Sequence, residues 1–311
     1  MRARSAAATS DWPTLIEDLS RRIAPRGKSL IMTVYGDSIL PHGGGAWLGD
    51  LIALLEPLGL NERVVRTSVY RLVQDDLLVA RQVGRRSFYA LTENGTRQSL
   101  EASRRIYARR ASTFDGTWTQ VWLAGSGNDA QSELSDALIH QGFGVLAPGL
   151  ILRQGDATEI ATEAAARHEA SRETVILHAQ ALGEDGGATP TFERLAKWWP
   201  LDMLEAEYEE FLDLTSVPLD AISAQGTPDA ETCFYLRCLL IHAYRRIVLK
   251  DPMLPVPLLP GDWPGLRAER VMAALYQSLS EIAQGHVMDM LNGINRPFDA
   301  PGSGFNARFE G

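Results

Sequence analysis

One stretch constrains this chain more than any other. Residues 61–91 lay cations and polar groups along one side of a short helix and then run into a basic hairpin. The helix opens at Asn61, whose side chain can accept from the free amides of a first turn. At about 100° per residue, Arg63, Arg66, Thr67, Tyr70 and Gln74 share a face, and Val65, Val69 and Leu72 lie opposite. One side is therefore suited to a core. The other offers guanidiniums, a hydroxyl, a phenol and an amide, the groups that read base edges and grip phosphates in a major groove. Arg71 joins them as a candidate contact. A solvated amphipathic helix fits this segment alone equally well. The hairpin tips the reading. Residues 77–82 form a strand, Val83-Gly84-Arg85-Arg86 a tight turn, and 87–91 the return strand. Arg81, Arg85 and Arg86 then stand near its tip, within reach of phosphates beside a helix in the groove. That is the pattern of a winged helix-turn-helix.

A net charge of −9 runs against a nucleic-acid partner until it is mapped along the chain. Residues 26–111 hold 13 Lys and Arg against 8 Asp and Glu, whereas residues 112–311 hold 13 against 28. A basic module on an acidic body attracts DNA on one side and repels it elsewhere. No run approaches the roughly 18 apolar residues of a membrane span. The basic N-terminus lacks the hydrophobic region of a secretory signal. Cys233 and Cys238, about 140° apart on a predicted helix, suit neither a disulfide nor a zinc site. The expectation is a reducing cytoplasm.

In order, residues 1–25 read as a tail with a short helix over Leu15–Ile23, and 26–91 as the DNA-binding domain. Its first helix runs from Lys28 to Tyr35 and stops at Gly36; Gly49–Leu55 is the second helix. Trp47 is expected to pack against the hairpin. The glycine run at 43–45 lacks the Gly-Lys-Ser/Thr ending of a phosphate loop. Residues 92–116 read as a connector helix reaching about Ala111, with Arg97, Arg104, Arg105, Arg109 and Arg110 on it. In residues 117–185, Thr117–Ala124 is a strand and Ala130–Gln141 a helix. Gly144–Arg153 is a strand or hairpin, Ile160–Ala170 a helix and Thr174–Leu182 a strand, the makings of a ferredoxin-like α+β sandwich. Residues 186–311 read as helical: Thr191–Trp199, an acidic helix over Leu201–Leu214, a long helix from Pro228 to Lys250 capped by Thr227, and Leu266–Gln284. The last 25 or so residues read as a loose tail.

Several stretches resemble the PaaX-type repressors of phenylacetic acid degradation. They are Tyr35-Gly36-Asp37, Trp47-Leu48-Gly49, Glu62-Arg63-Val64-Val65-Arg66-Thr67 and Gly84-Arg85-Arg86-Ser87-Phe88-Tyr89. The likeness continues through Gly142-Phe143-Gly144-Val145-Leu146-Ala147-Pro148 and the run from Leu240 to Pro252, in the same order. The resemblance implies a repressor that releases double-stranded DNA on binding phenylacetyl-coenzyme A. It also implies a central domain similar to the small CRISPR-associated Cas2 proteins. Nuclease relatives of that domain use an aspartate near the end of the first strand; here that strand holds none and Asp115 precedes it. A homodimer is expected, because one reading helix spans few base pairs.

No histidine makes a metal pair and no nucleophile elbow appears, so neither catalytic residues nor metal nor resident cofactor is expected. An acyl-coenzyme A effector needs cations for its phosphates and an apolar slot for its ring. Arg245, Arg246 and Lys250 are the densest cations of the acidic body, with His242 on the same helix. Tyr244, Trp198 and Trp263 are candidate ring platforms, with Trp199 and Tyr208 nearby. The bland alternative is equally weighted: cations complementing a helix C-terminus, and core aromatics. Gly142–Pro148 is the next place for the pocket. The functional alternatives are a DNA-binding regulator without an effector and a Cas2-like nuclease.

Overall fold

The computed structural model describes residues 11–123, 129–180, 190–291 and 301–309. Ala124, Ala181 and Leu182, where two strands were expected to end, lie outside the described residues. The chain is mixed α/β, with two antiparallel sheets and a helical C-terminal region. It divides into two compact units. One takes in Met1–Ala108, Glu210–Arg245 and Arg267–Gly311, the other Arg109–Glu209 and Arg246–Leu266.

The first unit opens with α1 (Trp12–Ile23), which buries Leu15, Ile16, Leu19 and Ile23. Next comes α2 (Gly27–Val34), burying Leu30, Ile31 and Val34. The helical path does not stop at Gly36 as expected. It widens into a π-helical turn over Tyr35–Ile39 and tightens into a 3-10 turn over Leu40–His42. The reason is burial: Tyr35 and Asp37 are enclosed and hydrogen-bonded, which outweighs the weak helix propensity of one glycine. A short strand β1 (Gly45–Trp47), absent from the sequence reading, leads to α3 (Leu48–Leu55), then α4 (Glu62–Gln74) and the hairpin β2 (Leu78–Val83) and β3 (Arg86–Leu91). The sheet order is β1-β3-β2. Helix α5 (Glu93–Ile106) follows, capped by Thr92 and ending short of Ala111.

In the second unit, β4 (Thr117–Leu123), α6 (Asp129–His140), β5 (Gly144–Ala147), β6 (Leu150–Gln154), α7 (Thr158–Arg167) and β7 (Thr174–Gln180) follow in turn. The antiparallel order is β5-β6-β4-β7. Val121 and Ile151 on one face meet Leu134, Leu138, Phe143, Ala161 and Ala164 in a core between sheet and helices.

The C-terminal helices depart from the sequence reading in particulars. Thr191–Trp199 is helical only over α8 (Phe192–Leu195). The acidic helix α9 (Leu201–Gln225) runs past Leu214 and through Pro218. Helix α10 (Ala230–Val248) is capped by Asp229, whose carboxylate accepts from the Thr232 amide at 2.8 Å, in place of Thr227. Helix α11 (Pro264–Met290) is longer than expected. The described end of the chain is not a loose tail: beside α12 (Ser303–Asn306), Phe305 and Phe309 are buried. Their rings gain more from burial than the flanking glycines lose.

Candidate functional site

Helix α4 is held from behind. Val65, Ser68, Val69 and Leu72 are buried, and the Asn61 side chain accepts from the Val64 amide at 3.0 Å. Lys28 of α2 pairs with Asp75 at its far end. The candidate DNA contacts on the helix, Arg63, Arg66, Thr67, Tyr70, Arg71 and Gln74, are all exposed, Tyr70 by 65%. Two of these groups are already oriented. Arg66 donates from Nε to Glu62 at 2.8 Å, and the Thr67 hydroxyl donates to the Arg63 carbonyl at 2.9 Å.

The hairpin is set by backbone registry and one aromatic contact. Val83 pairs with Arg86 and Arg81 with Phe88, leaving Gly84 and Arg85 at the turn, where Gly84 adopts φ 61°. Arg81, Arg85 and Arg86 are exposed. Arg86, though exposed, is held at its guanidinium. Its guanidinium lies 4.2 Å above the Trp47 ring and donates to Asp50 of α3 at 3.2 Å. Trp47 in turn meets Phe88 edge-to-face at 5.3 Å, so it does pack against the hairpin as expected. Arg85 at the tip makes no such contact with these groups. The two arginines are thus physically different: Arg86, beside the turn, is held against Trp47 and Asp50, and Arg85 stands in the turn itself.

The candidate effector residues at the C-terminal end of α10 divide. His242, Tyr244 and Arg245 belong to the first unit, Arg246 and Lys250 to the second. Arg245 donates to the Ser29 carbonyl at 3.2 Å and to the Thr33 hydroxyl at 3.0 Å; burial pushes its pKa down. The same hydroxyl lies 2.8 Å from Nδ1 of the buried His242. Tyr244 is 1% exposed, between Phe211 at 5.4 Å and Phe309 at 6.2 Å. Arg246 is exposed, and Lys250 pairs with Glu207 at 2.6 Å. Trp198 is half-buried between Trp118 and Trp199, whereas Trp263 is buried against Phe192 and Tyr208.

Sequence reasoning missed an enclosed polar site around Asp37. Asp37, 2% exposed, faces Arg237 at 3.1 Å and Arg308 at 3.2 Å, and accepts from the Tyr107 and Tyr276 hydroxyls at 2.6 and 2.8 Å. Its burial alone would raise the pKa. The two guanidiniums and two phenols outweigh that and hold it below the ordinary carboxylate range. The only signal in the sequence was an aspartate beside a glycine where a helix was expected to end.

Comparison with known proteins places the chain. Residues 26–95 match the model of the PaaX-like protein family, and residues 199–289 match that of the PaaX-like C-terminal domain. The chain is 36% identical over 306 residues to the transcriptional repressor PaaX of Escherichia coli strain K12, which covers 97% of this chain and 96% of the relative. The chain belongs to the PaaX-like family. Among solved structures, an uncharacterized protein, Rv0674 of Mycobacterium tuberculosis, shares the fold with a TM-score of 0.50 at 20% identity, covering 84% of this chain and 98% of that one. The Escherichia coli relative is a regulator, not an enzyme. Among the described residues of this PaaX-like chain, no cluster of three or more metal-ligating side chains occurs and no helix is long and apolar enough to cross a membrane.

Proposed function

We propose that this chain is a transcriptional repressor of phenylacetic acid catabolism that binds an operator in double-stranded DNA and is released by an aromatic acyl-coenzyme A, phenylacetyl-coenzyme A first. The observation that carries it is the exposed face of α4, backed by a buried apolar stripe and flanked by the arginine-bearing hairpin. Residues 26–91 act as a winged helix-turn-helix. The α2, α3, α4 and β1-β3-β2 arrangement supports that reading. Arg63, Arg66, Thr67, Tyr70, Arg71 and Gln74 enter the major groove, and Arg81, Arg85 and Arg86 meet the backbone. Residues 92–116 connect to a ferredoxin-like, Cas2-like domain over 117–185, supported by strand order β5-β6-β4-β7, and residues 186–311 form the helical domain.

The effector residues are assigned by which cations solvent can reach. Arg245 and His242 are engaged with α2, and Tyr244 is core. Arg246 and Lys250 are the exposed cations for the ligand's phosphates, and Trp198 and Trp263 belong to the unit that carries them. The repressor works as a homodimer. The test is an operator titration with and without a panel of aromatic acyl-coenzyme A thioesters. Release of DNA by phenylacetyl-coenzyme A supports the full reading; tight operator binding indifferent to every thioester leaves a regulator without an effector.

A further inference from the structure

The four-stranded sheet of the second unit carries buried polar atoms that the reading above does not use. Trp118, 3% exposed, has an indole N–H with no acceptor among the described residues. Directly across the ladder stands Gln154, on the same side of the sheet, opposite the face that holds Val121 and Ile151. The Gln154 amide cannot be turned around. Its Nε2 donates to the carbonyls of Pro252 at 2.7 Å and Met253 at 3.1 Å. That leaves Oε1 sealed from solvent and without a donor among the described residues. A donor without an acceptor and an acceptor without a donor therefore stand on adjacent strands.

A second indole joins them. Trp199 is 5% exposed, and its N–H too lacks an acceptor among the described residues. Trp198 links the two rings edge-to-face, 6.2 Å from Trp118 and 6.0 Å from Trp199. Phe114 closes on Trp118 at 5.5 Å. Gly144 is what lets Trp199 lie here, since a Cβ at that position would sit 2.5 Å from the indole Cε2. Each buried polar group left unmade costs about 1–3 kcal/mol, so several in one aromatic cluster call for a partner. An amide is such a partner: its carbonyl accepts from an indole N–H, and its N–H donates to Gln154 Oε1. The aromatic walls suit a flat apolar group beside it.

We propose that Trp118, Gln154, Trp198 and Trp199 form an amide-binding aromatic slot, which takes the amide-bearing arm and aromatic acyl end of a coenzyme A thioester. This rests on the effector reading above and supplies its location. The full-length protein is titrated with phenylacetyl-coenzyme A by calorimetry, as wild type and as Trp118→Phe with Trp199→Phe. These substitutions keep a ring and remove the donor. Trp122→Phe, on the same strand but 48% exposed, is the control. The slot variant should bind about 10- to 100-fold more weakly with operator affinity unchanged, and the control should bind as wild type. Wild-type affinity in the slot variant overturns the slot and leaves the effector reading standing. A wild type that binds no thioester overturns both. Should the slot variant lose its fold, the wild-type indole N–H resonances decide: those of Trp118 and Trp199 move on titration, and shifts confined to other indoles sink the proposal.

Discussion

Arg66 and Arg85 present the same guanidinium in two settings, and the difference predicts two signatures. Arg66 is exposed on α4 and steadied by Glu62. Replaced by alanine, it should cost about 1–3 kcal/mol of operator affinity and relax specificity at one base pair. Arg85 stands at the hairpin turn. Its loss should weaken specific and non-specific DNA alike and lower the salt slope by about one. Salt titrations on operator and scrambled duplexes separate the two; a sequence-selective loss at Arg85 would mean that the hairpin reads bases. Asp37 makes a different prediction. Because its pKa is held below the ordinary carboxylate range, the charged form is the one the fold favours. Its stabilisation is complete above the unfolded carboxylate range and is lost as pH falls through the lower folded value. Asp37→Asn leaves Arg237 and Arg308 without their buried counter-charge, for about 3–5 kcal/mol. Urea unfolding from roughly pH 5 down to pH 2 should therefore be shallower in Asp37→Asn than in wild type. Equal slopes would show that Asp37 is not the group titrating.

Ser29, Thr33 and Asp37 recur every fourth residue from α2 into the π-helical turn, and α10 answers with Arg245, His242 and Arg237 in antiparallel order. Since α2 packs beside α4 and Lys28 pairs with Asp75, this polar ladder bears on the helix proposed to face DNA. Thr33→Val should destabilise by about 1–3 kcal/mol, because it leaves the partners of a buried hydroxyl unsatisfied. Combined with Arg245→Met, it should show a coupling of about 0.5–3 kcal/mol in a double-mutant cycle; additive losses would mean independent contacts. The same contacts explain what the sequence made legible. Helix α4 and its hairpin could be read because their faces segregate residue by residue: Val65, Val69 and Leu72 inward, arginines outward. The ladder could not. Its residues lie some 200 positions apart, with |i−j| of 209 for Thr33 and His242, and a buried polar pair leaves no periodicity. The chain end failed for a related reason. Its glycines and prolines signal a loop, while the docking of Phe305 and Phe309 depends on rings supplied by Tyr107 and Tyr276. Likewise β1 is three residues long and exists because β3 is there to pair with it.

For the whole molecule, the charge is divided: residues 26–111 carry an excess of cations, and residues 112–311 a larger excess of carboxylates. A single reading helix covers only a few base pairs, so the proposed role of α4 calls for a two-fold pair of them to reach operator-level specificity. Light scattering should give a dimer, free or on DNA; a monomer in both states would exclude it. On the proposed reading the repressor has two ligands, and their effects on each other must be equal. A thioester releases DNA only if it binds the DNA-incompetent conformation more tightly than the competent one. Operator DNA must then weaken thioester binding by the same factor that thioester weakens operator binding, typically about 5–150-fold for about 1–3 kcal/mol of coupling. Calorimetry of phenylacetyl-coenzyme A, with the protein free and saturated with operator, measures one side, and operator titration at saturating thioester measures the other. Arg246→Ala with Lys250→Ala should lower thioester affinity and leave operator affinity in its absence unchanged, because both side chains are exposed and neither lies on α4. A double variant that binds the thioester like wild type removes these cations from the site. A wild type whose thioester affinity is the same with and without operator would mean that the ligand does not release DNA.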